Sequence, residues 1–269
     1  MNRALIHFAV GIILFGSTWF LLSRIDYVGI MGVENFEKAN EEKLGKVIVD
    51  FIKKKDKEVD SDSIKTFIND LKDRICKNND IDPEGIKVHV IYSSEINAFA
   101  LPGRNMVILT GLIDYSNSPE EIAGVMAHEI AHMEHNHVMK KLIKEVGASI
   151  LLTLAMGDKG GGEILKETVK LLTSSAFDRK QESEADASAV KYMAKANMDP
   201  EHLANFLFRL SLEKEHLPKE FEWISTHPDS KERANEILKL KAQEEINSVP
   251  VTEEGKWNRI KTLNAELGY

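Results

Sequence analysis

The sequence predicts an α+β fold that is mainly helical and is preceded by an apolar N-terminal segment. Three observations support this prediction. An uncharged run covers residues 4–23, strand-like runs cover 86–92 and 106–110, and apolar residues recur at helical spacing through much of the remainder. The 269 residues leave enough chain after the N-terminal segment for one sizeable core. We therefore expect residues 41–269 to form one domain.

The N-terminal segment Ala4–Ser23 holds twenty residues without a formal charge, between Arg3 and Arg24. That length is sufficient to cross a bilayer, so we interpret residues 1–24 as a transmembrane anchor. A cleaved signal peptide is the alternative, because Gly16-Ser17-Thr18 offers small residues at plausible cleavage positions. With the amino terminus held inside, either interpretation places the remaining chain on the extracytoplasmic, or periplasmic, side of the cell membrane.

A linker and a helical region are predicted after this segment. Residues 25–40 have the composition of a linker, and residues 41–80 form a helical part ahead of the sheet. Within that part, Glu41–Ile52 and Ser63–Cys76 have the apolar spacing of amphipathic helices.

Two strands are predicted next. Ile86–Tyr92 alternates in polarity, and Met106–Thr110 is apolar and β-branched, with a Pro102-Gly103 turn just before it. We expect a small antiparallel sheet beside the helical core. Its outer edge could bind an extended peptide through main-chain hydrogen bonds. A purely structural hairpin is the alternative.

Residues 128–132 read His-Glu-Ile-Ala-His, in a predicted helix that starts at Ser118-Pro119. On a helix His128 and His132 lie one turn apart, so both imidazoles can reach one cation. Glu129 points about 100° round the helix and can reach a water on that cation without being a ligand. Two nitrogen ligands and a general base are the minimal equipment of a zinc hydrolase.

A third ligand must come from another segment, because catalytic zinc usually has three protein ligands. Glu182 and Asp186 share one face of a helical run that extends to about Ala196. Glu182 could supply an oxygen ligand, and Asp186 could hold a ligand histidine by its second ring nitrogen. An ordinary solvated helix face is the alternative. His135 is predicted to be a partly solvated histidine, and His137, on the far face, to be a structural hydrogen-bonding residue.

Four motifs occur in one order between about residues 86 and 240. They are Asn97-Ala98-Phe99-Ala100-Leu101-Pro102-Gly103, His128-Glu129-Ile130-Ala131-His132, Glu182-Ser183-Glu184-Ala185-Asp186 and Thr226-His227-Pro228. Together they resemble the M48 metallopeptidases, the gluzincins that include the membrane proteases of the Ste24, HtpX, Oma1 and BepA types. The resemblance implies a zincin-like core, with the small sheet packed on the helix of the first histidine pair, and one Zn²⁺ ion per chain.

The resemblance also implies roles for single residues. Glu182 matches the third zinc ligand of the family. Asp186 matches its orienting carboxylate, Arg179 the basic residue that precedes the pattern, and Arg233 an arginine that pairs with a buried acid. His227 matches a histidine near the metal, which in relatives stabilises the oxyanion or caps the zinc in a resting state.

The stretch Asn97–Thr110 resembles the family's edge strand, along which a peptide substrate lies. The expected substrate-binding residues are therefore Asn97, Ala98, Phe99 and Ala100. The usual pattern after them is Pro-Gly-Gly, whereas this chain has Pro102-Gly103-Arg104. The departure places a cation where relatives have none.

A second apolar stretch, Val146–Gly157, is too short to cross a membrane. It precedes Asp158–Gly162, which has the composition of a flexible tether. The stretch is interpreted as a buried helix end. A lid over the cleft, or a segment facing the membrane, is the alternative.

Charge and cysteine usage narrow the function further. The net charge of −8, from 43 acidic and 35 basic residues, argues against a nucleic-acid partner. Cys76 is the only cysteine, so no intrachain disulfide can form.

The expected function is that of a membrane-anchored zinc endopeptidase acting on misfolded or membrane-associated polypeptides. The alternative is a zinc-fold quality-control factor that binds such proteins, like a chaperone, with little or latent proteolysis.

Overall fold

The structure is a computed structural model that describes residue 7 and residues 11–18, 36–157, 161–213 and 226–267. Residues 11–18 are helical and exposed, and the rest of the anchor predicted at 4–23, apart from residue 7, lies outside the described residues. Within the described ranges, no helix combines the length and the apolar content needed to cross a bilayer.

The described part is mainly helical and contains a small sheet, as predicted; the sheet has three strands. Its elements in chain order are α1 (Lys38–Lys55), α2 (Asp62–Lys77), β1 (Lys87–Ile91), β2 (Ala98–Leu101), β3 (Asn105–Leu109), α3 (Thr110–Tyr115), α4 (Pro119–Glu134), α5 (His137–Glu145), α6 (Ala148–Ala155), α7 (Gly162–Ser174), α8 (Arg179–Lys195), α9 (Glu201–Glu213), α10 (Ser230–Lys241) and α11 (Glu254–Glu266).

The sheet is mixed, so the prediction of an antiparallel sheet was wrong for one of its two strand pairs. The strand order is β1-β3-β2; β2 and β3 form an antiparallel hairpin, whereas β1 runs parallel to β3. The chain between β1 and β2 places β2 on the far side of β3, and the hairpin then returns β3 in the direction of β1. Alternating polarity specifies which face of a strand is buried, but not which neighbour the strand pairs with or in which direction.

The helix α4 lies at the centre of the fold and packs against β2, α2, α8 and α9. Its interior is buried from Ile122 to Met133. The close packing of α9 on α4 requires a glycine at position 124, because a Cβ atom there would lie 2.8 Å from the Cβ of Leu203. The histidine motif is therefore held by a helix that has protein on every side.

The second apolar stretch forms α6, which packs against α1 and α5. Leu151, Leu154 and Ala155 are buried, whereas Ile150 and Met156 are 40% and 74% exposed. The stretch is therefore a separate helix with one buried face, and the interpretation as a buried helix end holds only for that face. The tether predicted at 158–162 lies mostly outside the described residues, since 158–160 are not among them. After it, α7 packs against β2 and α5.

Candidate active site

The start of α4 follows the rules for helix capping. Ser118 is the N-cap, and its hydroxyl accepts a hydrogen bond from the backbone N–H of Glu121 at 3.3 Å. Pro119 occupies the first turn, where its missing N–H is not needed. Glu121 also forms a 2.7 Å ion pair with Arg209 of α9, which ties this end of α4 to the core.

Four side chains from three parts of the chain meet beside α4. His128 and His132 come from α4, Glu182 from α8, and His227 from the segment before α10. One nitrogen or oxygen atom of each lies within 4.8 Å of the corresponding atoms of the others. None of the four side chains is more than 4% exposed.

The spacing of these atoms fits a tetrahedral zinc ion, whose ligand atoms at about 2.1 Å would lie roughly 3.4 Å apart. The Nε2 atoms of His128 and His132 are 3.0 Å apart. Glu182 lies 3.6 Å from the first of these atoms and 3.5 Å from the second. The Nδ1 atom of His227 lies 3.2 Å from His128 and 2.9 Å from Glu182. Nitrogen and carboxylate ligands in this geometry are typical of zinc.

The sequence comparison agrees with this geometry: a model described as Peptidase family M48 matches residues 65–241. The chain belongs to the M48 family of zinc metallopeptidases. The match covers β1 to α10, and so includes every residue of the cluster.

This chain matches only part of the length of its curated relatives. This chain is 28% identical over 192 residues to the beta-barrel assembly-enhancing protease of Yersinia pestis. The match covers 64% of this chain and 39% of that protein. It is 29% identical over 152 residues to the mitochondrial metalloendopeptidase OMA1 of Schizosaccharomyces pombe. That match covers 56% of this chain and 45% of OMA1. A putative beta-barrel assembly-enhancing protease of Vibrio cholerae is 31% identical over 170 residues, covering 56% and 35%. The chain spans about two fifths of the length of these relatives.

Glu129 of the M48 chain lies beside the cluster without being part of it. One of its carboxylate oxygens accepts a hydrogen bond from the backbone N–H of Ala100 in β2, at 2.9 Å. The other oxygen lies 3.3 Å from Nε2 of His227. Burial alone would raise the pKa of Glu129, but the hydrogen bond and the charge of His227 outweigh burial and lower it. The side chain is thus held as a carboxylate, which is the form that accepts a proton.

Asp186 and Arg233 support the cluster from behind. Asp186 lies 3.0 Å from Nδ1 of His128 and accepts two hydrogen bonds from Arg233, each 2.7 Å long. Arg233 also lies 2.6 Å from Glu182. Burial raises the pKa of both acids, but nearby positive charges reverse this and hold each pKa below its usual range. For Glu182 the main charge is that of His227, followed by Arg233, and for Asp186 it is that of Arg233. Both acids are therefore ionised although they are buried.

Replacing Arg233 with methionine should lower the free energy of unfolding by about 3–5 kcal/mol, because two buried carboxylates would lose their counter-charge. Urea unfolding monitored by circular dichroism measures this change. The matched control is Arg104→Met, which breaks a 2.7 Å ion pair with Glu134 in which both side chains are about 30% exposed. That pair should contribute less than about 1 kcal/mol. Equal effects of the two substitutions would contradict the role of burial.

His227 lies between the carboxylates of Glu129 and Glu182. Its Nδ1 atom faces Glu182, and its Nε2 atom faces Glu129. Burial alone would lower the pKa of His227, but these two carboxylates raise it to about 9. The imidazole can therefore donate a hydrogen bond as well as bind a cation, depending on its protonation state.

Two side chains near the cluster were not assigned to the site from the sequence. Phe177, just before α8, stacks on the ring of His132 with centroids 4.0 Å apart. His137 places Nδ1 3.0 Å from Nδ1 of His132, which fits its predicted hydrogen-bonding role. Its predicted position on the far face was wrong, because α4 ends at Glu134 and the chain turns at Asn136. The sequence contained a signal for His137, which begins the next helix five residues after His132. It contained none for Phe177, whose position depends on how α7 and α8 pack.

Lys141 holds the loop that carries Phe177. Its ammonium group donates a hydrogen bond to the carbonyl of Ser175 and lies 4.4 Å from the centre of the Phe177 ring. The residue is 7% exposed. Desolvation lowers its pKa from 10.5 to about 8, against the opposing charges of Glu182 and Glu129.

This lowered pKa makes stability depend on pH. Between about pH 8 and 10.5 the folded protein binds fewer protons at Lys141 than the unfolded chain does, so stability rises with pH. From pH 7.5 to 9.5 the free energy of unfolding of the wild type should rise by about 2 kcal/mol relative to Lys141→Met. Urea unfolding at the two pH values measures the difference. Lys144→Met, at a side chain that is 66% exposed, should follow the wild type.

The remaining predicted site residues occupy two different environments. Arg179 is on the surface: its side chain is 85% exposed and lies 3.1 Å from Asp229. Asn97 is fully buried, and neither polar atom of its amide has a hydrogen-bond partner among the described residues. Ala98, Phe99 and Ala100 are buried in β2.

Proposed function

We propose that this chain is a zinc-dependent endopeptidase that hydrolyses peptide bonds in polypeptides. The observation that carries the proposal is the convergence of His128, His132 and Glu182 on one point, with the carboxylate of Glu129 beside it. Membership of the M48 family and the relatives named as proteases support it. A protein that only binds its partners has no chemical need for a buried, ionised Glu129.

His128, His132 and Glu182 would hold the zinc ion, which would supply a Lewis acid and lower the pKa of a bound water toward neutrality. Glu129 then accepts the proton of the attacking water and returns it to the leaving amine. Asp186 fixes the ring of His128 by binding its Nδ1–H, and Arg233 fixes Asp186. The N–H of His227 is proposed to stabilise the negative charge that develops on the substrate carbonyl oxygen.

The strand β2 is proposed to bind the substrate. The carbonyl of Asn97 accepts a hydrogen bond from Leu109 in β3, so alternation directs the main chain of Ala98 and Ala100 away from β3. An extended peptide can pair with those outward groups. The N–H of Ala100 is bonded to Glu129, so a substrate that pairs there would release the carboxylate for its role as base. The amide of Asn97 could bind a substrate main-chain group.

The arrangement of His227 supports a latent form of the enzyme. Its ring lies against Glu129, Glu182 and His128, and these side chains are almost completely buried. The strand β2 is also buried, with α4 and α7 packed against it. A substrate therefore requires His227 and the cover of β2 to move. This burial also favours the second candidate function, a zinc-fold binding factor with latent proteolysis.

The cellular setting is proposed from the N-terminal segment and the relatives. The uncharged run Ala4–Ser23 would anchor the chain in a membrane, with the catalytic part on the extracytoplasmic side. One group of relatives is named for assembling β-barrels and another for a mitochondrial location. Misfolded or membrane-associated proteins are accordingly the proposed substrates. Reporter fusions at both ends of the run test its topology.

The function is tested by cleavage of casein, an unfolded protein, with metal analysis of the same sample. The proposal expects about one zinc per chain, fragments of casein, and loss of cleavage when a chelator removes the metal. A zinc-loaded protein that binds casein and returns it intact, with His227 in place or replaced by alanine, would favour the binding factor. A protein without zinc would contradict both.

A further inference from the structure

We propose that His137 and Glu184 are positioning residues that hold His132, through a chain of hydrogen bonds, in the orientation and tautomer that bind zinc. This inference rests on the proposed function, because it concerns the same metal site. It assigns a task to two residues that take no part in the mechanism described above.

The chain of hydrogen bonds runs without a break from the cluster to the protein surface. Nδ1 of His132 lies 3.0 Å from Nδ1 of His137, and Nε2 of His137 lies 3.2 Å from a carboxylate oxygen of Glu184. The side chain of His137 is 1% exposed, whereas that of Glu184 is 42% exposed. These hydrogen bonds join the first turn of α5 to α8, the helix that also carries Glu182.

The direction of the hydrogen bonds follows from the ligand atom. If His132 binds zinc through Nε2, its Nδ1 atom carries the proton and donates it. His137 must then accept with Nδ1, so that its own proton is on Nε2. That proton points to Glu184, and a carboxylate can only accept. When the His137 ring is neutral, each group in these hydrogen bonds has a partner of the required type only if His132 is in the zinc-binding tautomer.

The two zinc-binding imidazoles thus have different outer partners. Nδ1 of His128 faces the carboxylate of Asp186 directly, at 3.0 Å. Nδ1 of His132 faces an imidazole, and the carboxylate of Glu184 lies one ring further out. A carboxylate in direct contact orients a ligand and also raises its basicity. His137 orients His132 in the same way but delivers less negative charge to it.

Neighbouring rings restrict the two imidazoles of the chain. Phe177 stacks on His132, with an angle of 24° between the ring planes. His135 stacks on His137 with centroids 5.2 Å apart, and its Nε2 atom bonds to the hydroxyl of Ser188 at 2.8 Å. These contacts leave both rings little freedom to turn, as a positioning chain requires.

The experiment compares the zinc affinity of the full chain with that of three variants, by competition with a fluorescent chelator. His137→Leu removes the acceptor and should raise the apparent Kd for zinc by roughly 10- to 100-fold. His137→Asn can place its amide oxygen near the position of Nδ1, and should restore affinity to within about threefold of the wild type. Glu184→Gln keeps an acceptor without the charge, and should weaken zinc binding by roughly threefold to tenfold.

The matched control for Glu184 is Glu145→Gln. Both acids line one surface cleft beside α5 and α8, and the side chain of Glu145 is 48% exposed. It should leave the zinc affinity unchanged. Cobalt-substituted protein gives a second readout, because a turned His132 ring alters the visible absorption bands. Those bands should shift in His137→Leu and return in His137→Asn.

The possible outcomes separate this inference from the proposed function. A wild-type protein that takes up no zinc contradicts the proposed function itself. A wild type that binds zinc, with His137→Leu binding it equally tightly, overturns only the positioning chain. Equal losses in His137→Leu and His137→Asn also overturn it, since they would show a packing role for the ring. If His137→Leu does not fold, the Asn and Gln variants decide the question by the same measurements.

Discussion

Replacing Glu129 with glutamine should abolish casein cleavage while leaving about one zinc per chain. We expect kcat to fall by roughly 10³- to 10⁴-fold, because an amide cannot take the proton of the attacking water. The fold and the metal should be retained, since glutamine has the same shape and its oxygen can still accept the N–H of Ala100. Cleavage assays and metal analysis of one preparation measure both effects.

The matched control for this substitution is Glu134→Gln, on the last residue of the same helix. Its carboxylate pairs with Arg104, near the surface, so turnover should stay within about twofold of the wild type. A Glu129→Gln enzyme as active as the control would show that another group is the base. A loss of zinc together with turnover would mean that Glu129 holds the metal instead.

Replacing His132 with alanine should remove zinc and activity together. Structural zinc sites bind with roughly 10–16 kcal/mol shared over four ligands, so losing one ligand should weaken binding by at least about a hundredfold. The two variants therefore differ in metal content: Glu129→Gln keeps zinc and His132→Ala does not. Elemental analysis after dialysis against a weak chelator measures the difference.

The control for His132 is His89→Ala, which removes a histidine of β1. Its ring lies against Glu58 and Asn105 and not against the cluster, so the zinc stoichiometry should be unchanged. Retention of tight zinc binding in His132→Ala would exclude that imidazole as a ligand. Glu182 and His227 would then have to hold the metal with His128 alone.

The helix α4 shows how far local rules extend. Its start, its capping residue and the common face of His128 and His132 were all predicted, because they depend on residues within four positions of one another. The same rule placed Glu182 and Asp186 on one face of α8. It could not decide between a metal site and a solvated face. That choice was made by the resemblance of four motifs and by the observed packing of α8 on α4.

Other features depend on contacts between distant segments. The parallel pairing of β1 with β3 follows from the path of the chain around β3, which alternating polarity does not encode. The stacking of Phe177 on His132 joins the loop before α8 to α4, and the link from His137 to Glu184 joins α5 to α8. The periodicity of one continuous helix predicted that His137 lies on the face away from His128. That was wrong, because α4 ends at Glu134 and His137 begins a new helix beside His132.

By itself, the sequence determined the type of chemistry: two histidines and a glutamate spaced for one helix, with an acidic pair on another. Side chains within one helix have relative positions that its geometry fixes, whatever surrounds them. Only the tertiary structure decided the mixed sheet, the enclosure of Glu129 between β2 and His227, and the hydrogen bonds behind both imidazoles. Those features join segments far apart in the chain, and their distances are set by the packing of the whole core.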